Sequence, residues 1–517
     1  MPNKLNLDPG IISASHQAAK DIVKGVNEFI NIRTSVTVER TIARLLGVDG
    51  LNEQSAPYPN ILVDHIVQHG GLPQGLAYWL GNALIETGQT PQVITERVDR
   101  GELDLLSLPR RDEAKARQVM MQQCRSVLEK IGSIRKQREP RRNSKSPNMP
   151  LVYVIVATGN VYEDVTHAMA VAEHGGDIVA VIRSTAQSLL DFVPFGATTE
   201  GYGGTFATQE NFRIMRTALD EWTKENGRYL RLSSFCSGLC MPEIAAMGAL
   251  EGLDNMVNDA MYGALYRDIN LGRTMVDQKM SRMLNGFAGI AINTGEDNYN
   301  RTADAIDAAP SVIASHMINY HFALDAGLPE NQIGLGHSFE VKPEVKNSFL
   351  YEWAQAQLER ELFPNCPLKY MPPTKYMTGD VYRTHAVDTL FNLVSIATQQ
   401  GIHLVGVPTE GIHTPHLSDR VIGLDNTNYV FNAAHDITDE IEFKPGGIIQ
   451  SRSQQVLKDS HNMLVRIQKT GLFNAIGEGL FGDTPRSMED GRGREGVALK
   501  ALEYYNPFSE LILGDKQ

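Results

Sequence analysis

After residue 150 the chain changes from widely spaced apolar positions to short continuous apolar runs. The first run, 151–157 (LVYVIVA), stops at Thr158-Gly159-Asn160 and shows no polar alternation, as expected of a parallel strand covered on both faces. Comparable runs recur at 178–182, 229–232, 288–292, 333–335, 368–371 and 403–407, with a less clear one at 256–259. Segments with helical periodicity lie between most of them, such as 211–222 and 349–362. Strand candidates alternating with helices in this way predict an α/β fold, a (β/α)8 TIM barrel, over residues 150–425. A doubly wound sheet fits less well, because no G-x-G-x-x-G follows any of these runs.

The flanks read differently. Residues 1–135 are predicted to form an N-terminal helical region. Thr37 is placed to cap a helix through Ile42, Leu45 and Leu46, with Gly47 as its stop, and 114–131 predicts another. The run Arg135-Lys136-Gln137-Arg138-Glu139-Pro140-Arg141-Arg142 and the polar residues after it have too little apolar content to pack. They predict a solvated basic linker over 136–149. Residues 426–517 predict a C-terminal extension, helical at 454–469 and Gly-rich at 491–496, that wraps the barrel or a partner.

Composition narrows the class. A formal charge of -13 with a pI near 5.6 argues against nucleic acid, since phosphate contacts need clustered Lys and Arg. No apolar run approaches the length that spans a bilayer, and Met1-Pro2-Asn3-Lys4 does not open a signal peptide. Four cysteines among 517 residues make no disulfide scaffold, so a reduced, cytoplasmic protein is expected.

In a barrel the strand C-termini converge on one mouth, and polar residues gather at those positions here. Arg183 and Ser188 follow the second run, and Ser237 follows the third. Tyr262 and Arg267 follow the fourth, Asp297 and Asn298 the fifth, and His337 the sixth. Lys369 lies in the seventh, before Lys375, and Glu410 and His413 follow the eighth. Singly, each has an ordinary explanation: an ion pair for the arginine, a turn for the serine, a helix cap for the aspartate. Together, an anion-binding Arg, hydroxyls, an aromatic, an acid and a lysine suit a small anionic cofactor with an aromatic ring. Cys236 and Cys240 form a C-x-x-x-C pair, but no third Cys follows, so buried thiols are expected rather than an iron–sulfur cluster. His413 and His416 lack a partnering ligand pattern, and no metal is assigned.

Five long stretches carry a resemblance: LVYVIVATGN at 151–160, AVIRSTAQSLLDFVPFGATTEGYGGTFATQENFR at 180–213, CSGLCMPEIAAMGA at 236–249, NGFAGIAINTGEDNY at 285–299 and PLKYMPPTKYMTG at 367–379. Through them the chain resembles the large subunit of the lysine 5,6-aminomutases over nearly its whole length. The resemblance implies an isomerase that moves the terminal amino group of D-lysine or L-β-lysine from C6 to C5 by a radical shift, using pyridoxal 5′-phosphate and adenosylcobalamin. It implies that Arg183 and Ser188 hold the phosphate, Ser237 bonds the pyridine nitrogen, and Tyr262 stacks on the ring. Asp297, Asn298 and Lys369 would flank the phenolic oxygen, Arg267 would assist, and Glu410 is a candidate for the substrate end. A hydroxyl partner leaves the pyridine nitrogen largely unprotonated, which suits radical rather than carbanion chemistry.

The sequence carries no D-x-H-x-x-G for a base-off cobalamin, and Asp64-His65-Ile66 has the wrong spacing. The resemblance places the cobalt-ligating His and the Schiff-base lysine on a small β subunit, in an α2β2 assembly. The alternative is a pyridoxal-phosphate barrel doing polar chemistry, such as racemisation or decarboxylation, with Lys369 or Lys375 as its own Schiff-base lysine.

Overall fold

The computed structural model describes residues 4–514, except 111, 143–149, 183–185, 202–203, 302–303, 410–411 and 414. Eight strand positions alternate with helices: β1 (Leu151–Ile155), β2 (Ile178–Ile182), β3 (Arg231–Phe235), β4 (Asn255–Val257), β5 (Ala291–Asn293), β6, β7 (Lys369–Met371) and β8 (Ile402–Leu404). Position β6 has two segments, Ile333–Gly334 and Gly336–Ser338, separated by Leu335 alone. The first segment pairs with β5 and the second with β7. All these ladders are parallel, and β8 pairs with both β7 and β1, so the ring closes through Leu335. The α/β barrel expected from the runs is the observed fold.

The unalternating apolar runs follow from burial on both strand faces. Val152, Val154, Val179, Val181 and Leu232 face outward into one large core shared with the helices. Tyr153, Ile178, Ala180, Ile402 and Leu404 face inward and form a separate cluster that fills the barrel. Position β3 lies later than the apolar pattern suggested, because Ser233 and Ser234 continue the strand. Ser233 is an interior residue within 3.3 Å of the Tyr153 hydroxyl, so a polar residue there still serves the barrel filling.

Before the barrel, helices run over Pro9–Asn31, Val36–Leu45, Tyr58–Gln68, Leu76–Thr87, Pro91–Asp99 and Glu113–Arg142. Ser35, not Thr37, caps the second of these, accepting from the Val38 N–H at 3.1 Å. Thr37 lies inside the helix and donates to the Leu239 carbonyl at 2.7 Å, tying the helical region to the loop after β3. Gly47 does end the segment, with φ +87.

The basic run 136–142 is not a solvated linker. It continues the helix to Arg142, with Pro140 in the last turn. Arg138 holds Asp220 through two hydrogen bonds of 3.0 and 2.8 Å. Arg142 donates to Asp254 at 2.6 Å, and Arg216 takes the other oxygen at 2.9 Å. Composition called these residues polar and therefore solvated; their partners are carboxylates from distant parts of the chain.

The C-terminal helix Ile448–Thr470 packs along Pro9–Asn31 and across the barrel helices Ala309–Asp325 and Ser348–Leu362. The last strand, Val497–Leu499, pairs antiparallel with Arg33–Ser35, so the two flanks meet. No described helix is long and apolar enough to cross a membrane.

Candidate active site

The sequence places the second and third βα loops against each other, and one glycine sets the distance. Gly238 has φ +91, and a Cβ there would lie 2.5 Å from the Ser188 Cα. Only glycine tolerates both the left-handed backbone and that approach. The Leu239 N–H donates to the Ser188 carbonyl at 3.0 Å, which locks the contact. Ser188 is buried in the short 3-10 turn Gln187–Leu189. Ser237, adjacent to Gly238, is 3% exposed, and its Oγ is buried without a hydrogen-bond partner among the described residues. A buried hydroxyl is normally satisfied, so this one is available to a ligand acceptor.

The helical region supports these loops from behind. Asp191, which follows Ser188, accepts from Arg273 at 3.0 Å and is also bonded by Arg40. Arg40 reaches Glu243 of the helix Met241–Glu251 at 2.7 Å, and Arg273 reaches Asp277 at 2.7 Å. Burial pushes the Asp191 carboxyl up, but Arg273 and Arg40 outweigh it and hold the carboxyl below its usual range. The loop bearing Ser188 is thus tied down by charge as well as packing.

Across the ring, Tyr262 opens the short helix Tyr262–Arg267 and is 2% exposed. Arg267 donates to the Tyr262 hydroxyl at 3.0 Å, with its guanidinium 4.6 Å from the Tyr266 ring centre. Asp297 lies in the short helix Glu296–Tyr299 and is 5% exposed. Burial raises its carboxyl to about 6, against the lowering effect of Lys369 and with a further rise from Glu296. Asn298 donates to Asp297 at 3.2 Å. Lys369 points into the barrel, its ammonium 5.2 Å from the Tyr153 ring centre, and is 4% exposed. The Asp297 and Lys369 charges sense each other inside a buried site.

The sequence-predicted residues therefore divide. Ser188 and Ser237 lie at one loop contact, Tyr262 and Arg267 share another, and Asp297 and Asn298 a third, with the Lys369 charge acting on Asp297 from β7. Arg183 and Glu410 lie outside the described residues. His337 is not at the mouth: it stacks on Tyr370 at 4.4 Å, meets Gln400 at 2.9 Å, and burial lowers it to about 4. Cys236 and Cys240 are buried thiols bonded to the Met241 and Leu190 carbonyls, and burial pushes Cys236 up to about 12, so neither offers a thiolate. Among the described residues, one group has metal-ligand geometry, His65, His69 and Asp104, and it lies in the helical region rather than at the mouth.

Sequence reasoning missed a buried polar network behind Tyr262 and Asp297. Asp259, Glu296, Asn319, Arg282, His316 and Glu359 are all essentially inaccessible. His316 meets Glu359 at 2.8 Å and Glu296 at 3.4 Å, and although burial lowers its pKa, these carboxylates raise it well above the ordinary value. Asp259 had been read only as the end of a strand candidate, and Glu296 lies unremarked beside Asp297. The signal available was three acids, at 259, 296 and 297, following two adjacent strands.

The residues offer an unsatisfied hydroxyl, a phenol ring, an acid that titrates near neutrality and an inward lysine. That set fits a flat heteroaromatic group carrying a ring nitrogen and a polar substituent. The family described as the D-lysine 5,6-aminomutase TIM-barrel domain of the alpha subunit matches residues 5–511. The lysine 5,6-aminomutase alpha subunit of Acetoanaerobium sticklandii is 53% identical over 512 residues, covering 99% of both chains. That of Fusobacterium nucleatum subsp. nucleatum is 54% identical over 513 residues, again covering 99% of both. A third relative, the D-ornithine 4,5-aminomutase subunit beta of A. sticklandii, is 29% identical over 353 residues, 67% of this chain and 47% of its own length. Full-length identity of this degree joins the barrel and its mouth to one group of isomerases, and the chain belongs to the lysine 5,6-aminomutase alpha-subunit family.

Proposed function

We propose that this chain binds pyridoxal 5′-phosphate at the barrel mouth and, with a small cobalamin-carrying subunit, moves the terminal amino group of D-lysine or L-β-lysine from C6 to C5. When bound, pyridoxal phosphate supplies a π system next to the migrating nitrogen, and adenosylcobalamin supplies the carbon radical that starts the shift. The observation that carries the reading is the buried, unpartnered Ser237 hydroxyl at the end of β3, next to the Gly238–Ser188 loop contact.

Each side chain has a task its chemistry suits. Ser237 donates to the ring nitrogen without adding a charge, which limits carbanion side reactions. Tyr262 stacks on the ring, and the Arg267 hydrogen bond fixes the tilt of the phenol. Asp297, titrating at about 6, holds or releases a proton at its carboxyl oxygen near neutral pH, and Lys369 sets the balance. Ser188, with Arg183, provides donors for a phosphate dianion. Glu410 is the candidate for the far end of the substrate. The near-total burial of Ser237, Tyr262, Asp297 and Lys369 excludes water from the reacting region, which protects a radical from quenching.

Membership of an alpha-subunit family supports a partner: in this reading the small β subunit brings the cobalt-ligating His and the lysine that carries pyridoxal phosphate, in an α2β2 assembly in the cytoplasm. Borohydride reduction of the reconstituted complex, followed by peptide mapping, tests this division. Cofactor fixed to a lysine of the partner is expected. Cofactor fixed to Lys369 or Lys375 would overturn it in favour of polar chemistry run by this chain alone.

A further inference from the structure

One carboxylate joins the loops after β4 and β5. Asp259, two residues beyond β4, accepts on Oδ1 from the N–H groups of Met261 at 2.7 Å and Tyr262 at 2.9 Å. Its Oδ2 accepts from the Gly295 N–H at 3.1 Å and from Asn319 Nδ2 at 3.1 Å, while the Tyr299 hydroxyl donates at 3.2 Å. The first pair starts the turn that carries Tyr262. The Gly295 bond holds the loop that carries Asp297.

The orientation of this carboxylate is itself fixed. Asn319 presents its Oδ1 to Arg282 at 2.7 Å and to the Ala260 N–H at 2.9 Å. Its amide nitrogen is thereby turned toward Asp259 and toward Glu296, at 2.7 Å from the latter. A carboxylate buried without donors would be strongly unfavourable, and here each oxygen is shared between neighbouring segments. The two loops also touch directly: a Cβ on Gly295 would lie 2.9 Å from the Tyr262 ring. Ring and acid-bearing loop thus move together or not at all.

We propose that Asp259 is a positioning residue that registers the Tyr262 ring to the Asp297 loop, so that stacking surface and acid reach the cofactor as one rigid unit. This rests on the reading that Tyr262 and Asp297 contact pyridoxal phosphate. Asp259 itself touches no cofactor atom in this account; it acts through the two loops.

Two substitutions separate its roles in the complex with the small subunit. Asp259→Asn keeps an oxygen for Met261 and Tyr262 but turns an NH2 toward the Gly295 N–H, so the turn survives and the Asp297 loop loses its register. Expected are a pyridoxal-phosphate affinity within about threefold of wild type and a kcat lowered about tenfold or more at similar KM. The pH at which the bound-cofactor absorbance changes should also move by about one unit. Gly295→Ala leaves the network intact and presses on the ring, so the pyridoxal-phosphate dissociation constant should rise about tenfold. If both variants show wild-type spectra, affinity and kcat and differ only in unfolding temperature, the positioning role is refuted. If Asp259→Asn does not accumulate as folded protein, Tyr299→Phe, which takes one donor from the Asp259 carboxylate, decides by the same kcat and spectral criteria. Failure of the underlying reading looks different: Tyr262→Ala and Asp297→Asn would then leave cofactor affinity and spectrum unchanged.

Discussion

Replacing Ser237 by alanine is predicted to have opposite effects on the free chain and on the cofactor-bound complex. The Ser237 Oγ is buried without a hydrogen-bond partner among the described residues, so in the cofactor-free chain the hydroxyl bears a desolvation cost it does not recover. A buried unsatisfied polar group costs about 1–3 kcal/mol, and removing one oxygen leaves only a small void to set against that. The cofactor-free Ser237→Ala chain should therefore be no less stable than wild type, and more stable by up to about 1 kcal/mol. With pyridoxal phosphate bound, the hydroxyl makes a neutral hydrogen bond worth about 0.5–1.5 kcal/mol, a two- to twelvefold loss of affinity on substitution. Denaturant titration of the chain without cofactor gives the first number. Absorbance titration of the complex with pyridoxal phosphate gives the second. A chain destabilised by 1 kcal/mol or more with unchanged affinity would show that Ser237 serves the fold, and the argument from the orphaned hydroxyl would fail.

Three further outcomes follow from burial and charge. Arg142→Ala leaves the fully buried Asp254 carboxylate with Arg216 as its one remaining ion-pair partner among the described residues, and should cost about 1.5–3 kcal/mol in denaturant unfolding, with new protease cleavage near the end of the Glu113–Arg142 helix; unchanged cleavage and stability would return residues 136–142 to the status of a linker. The Asp297 carboxyl is raised from 3.8 to about 6, so its contribution to stability is complete below pH 3.8 and lost as the pH rises through about 6. Asp297→Asn should remove that loss, on the order of 3 kcal/mol, making the cofactor-free variant more stable than wild type at pH 8 but not at pH 3.5. All four cysteines are buried, so a thiol reagent should label none in the native chain and four after unfolding; fast labelling of Cys236 or Cys240 in native protein would contradict the packing behind Ser237.

The barrel was legible because each strand is covered on both faces, and two-sided burial writes itself as an unbroken apolar run. The same rule displaced β3, where Ser233 meets Tyr153 and needs no apolar character. Loop residues at strand ends were legible as chemistry because barrel topology gathers them at one mouth, although their separate contacts, such as Gly238 against Ser188, require the three-dimensional structure. What sequence could not show were charges satisfied by distant partners. Arg138 and Arg142 looked solvated because their acids lie 82 and 112 residues further along. Asp259 and Glu296 looked ordinary because the groups that neutralise and orient them, Asn319 and His316, come from the Ala309–Asp325 helix. The misplaced cap was likewise local chemistry: the hydroxyls of Ser35 and Thr37 can both accept at a helix N-terminus, and the Leu239 carbonyl engages Thr37 and leaves the cap to Ser35.

The most direct test of the whole account is amino migration itself, measured with D-lysine and with L-β-lysine in the presence of pyridoxal phosphate, adenosylcobalamin and the co-expressed small subunit. The account predicts product with nitrogen at C5 that disappears when either cofactor or the small subunit is left out. Turnover by this chain alone, or cofactor binding with no migration of either substrate, would contradict it.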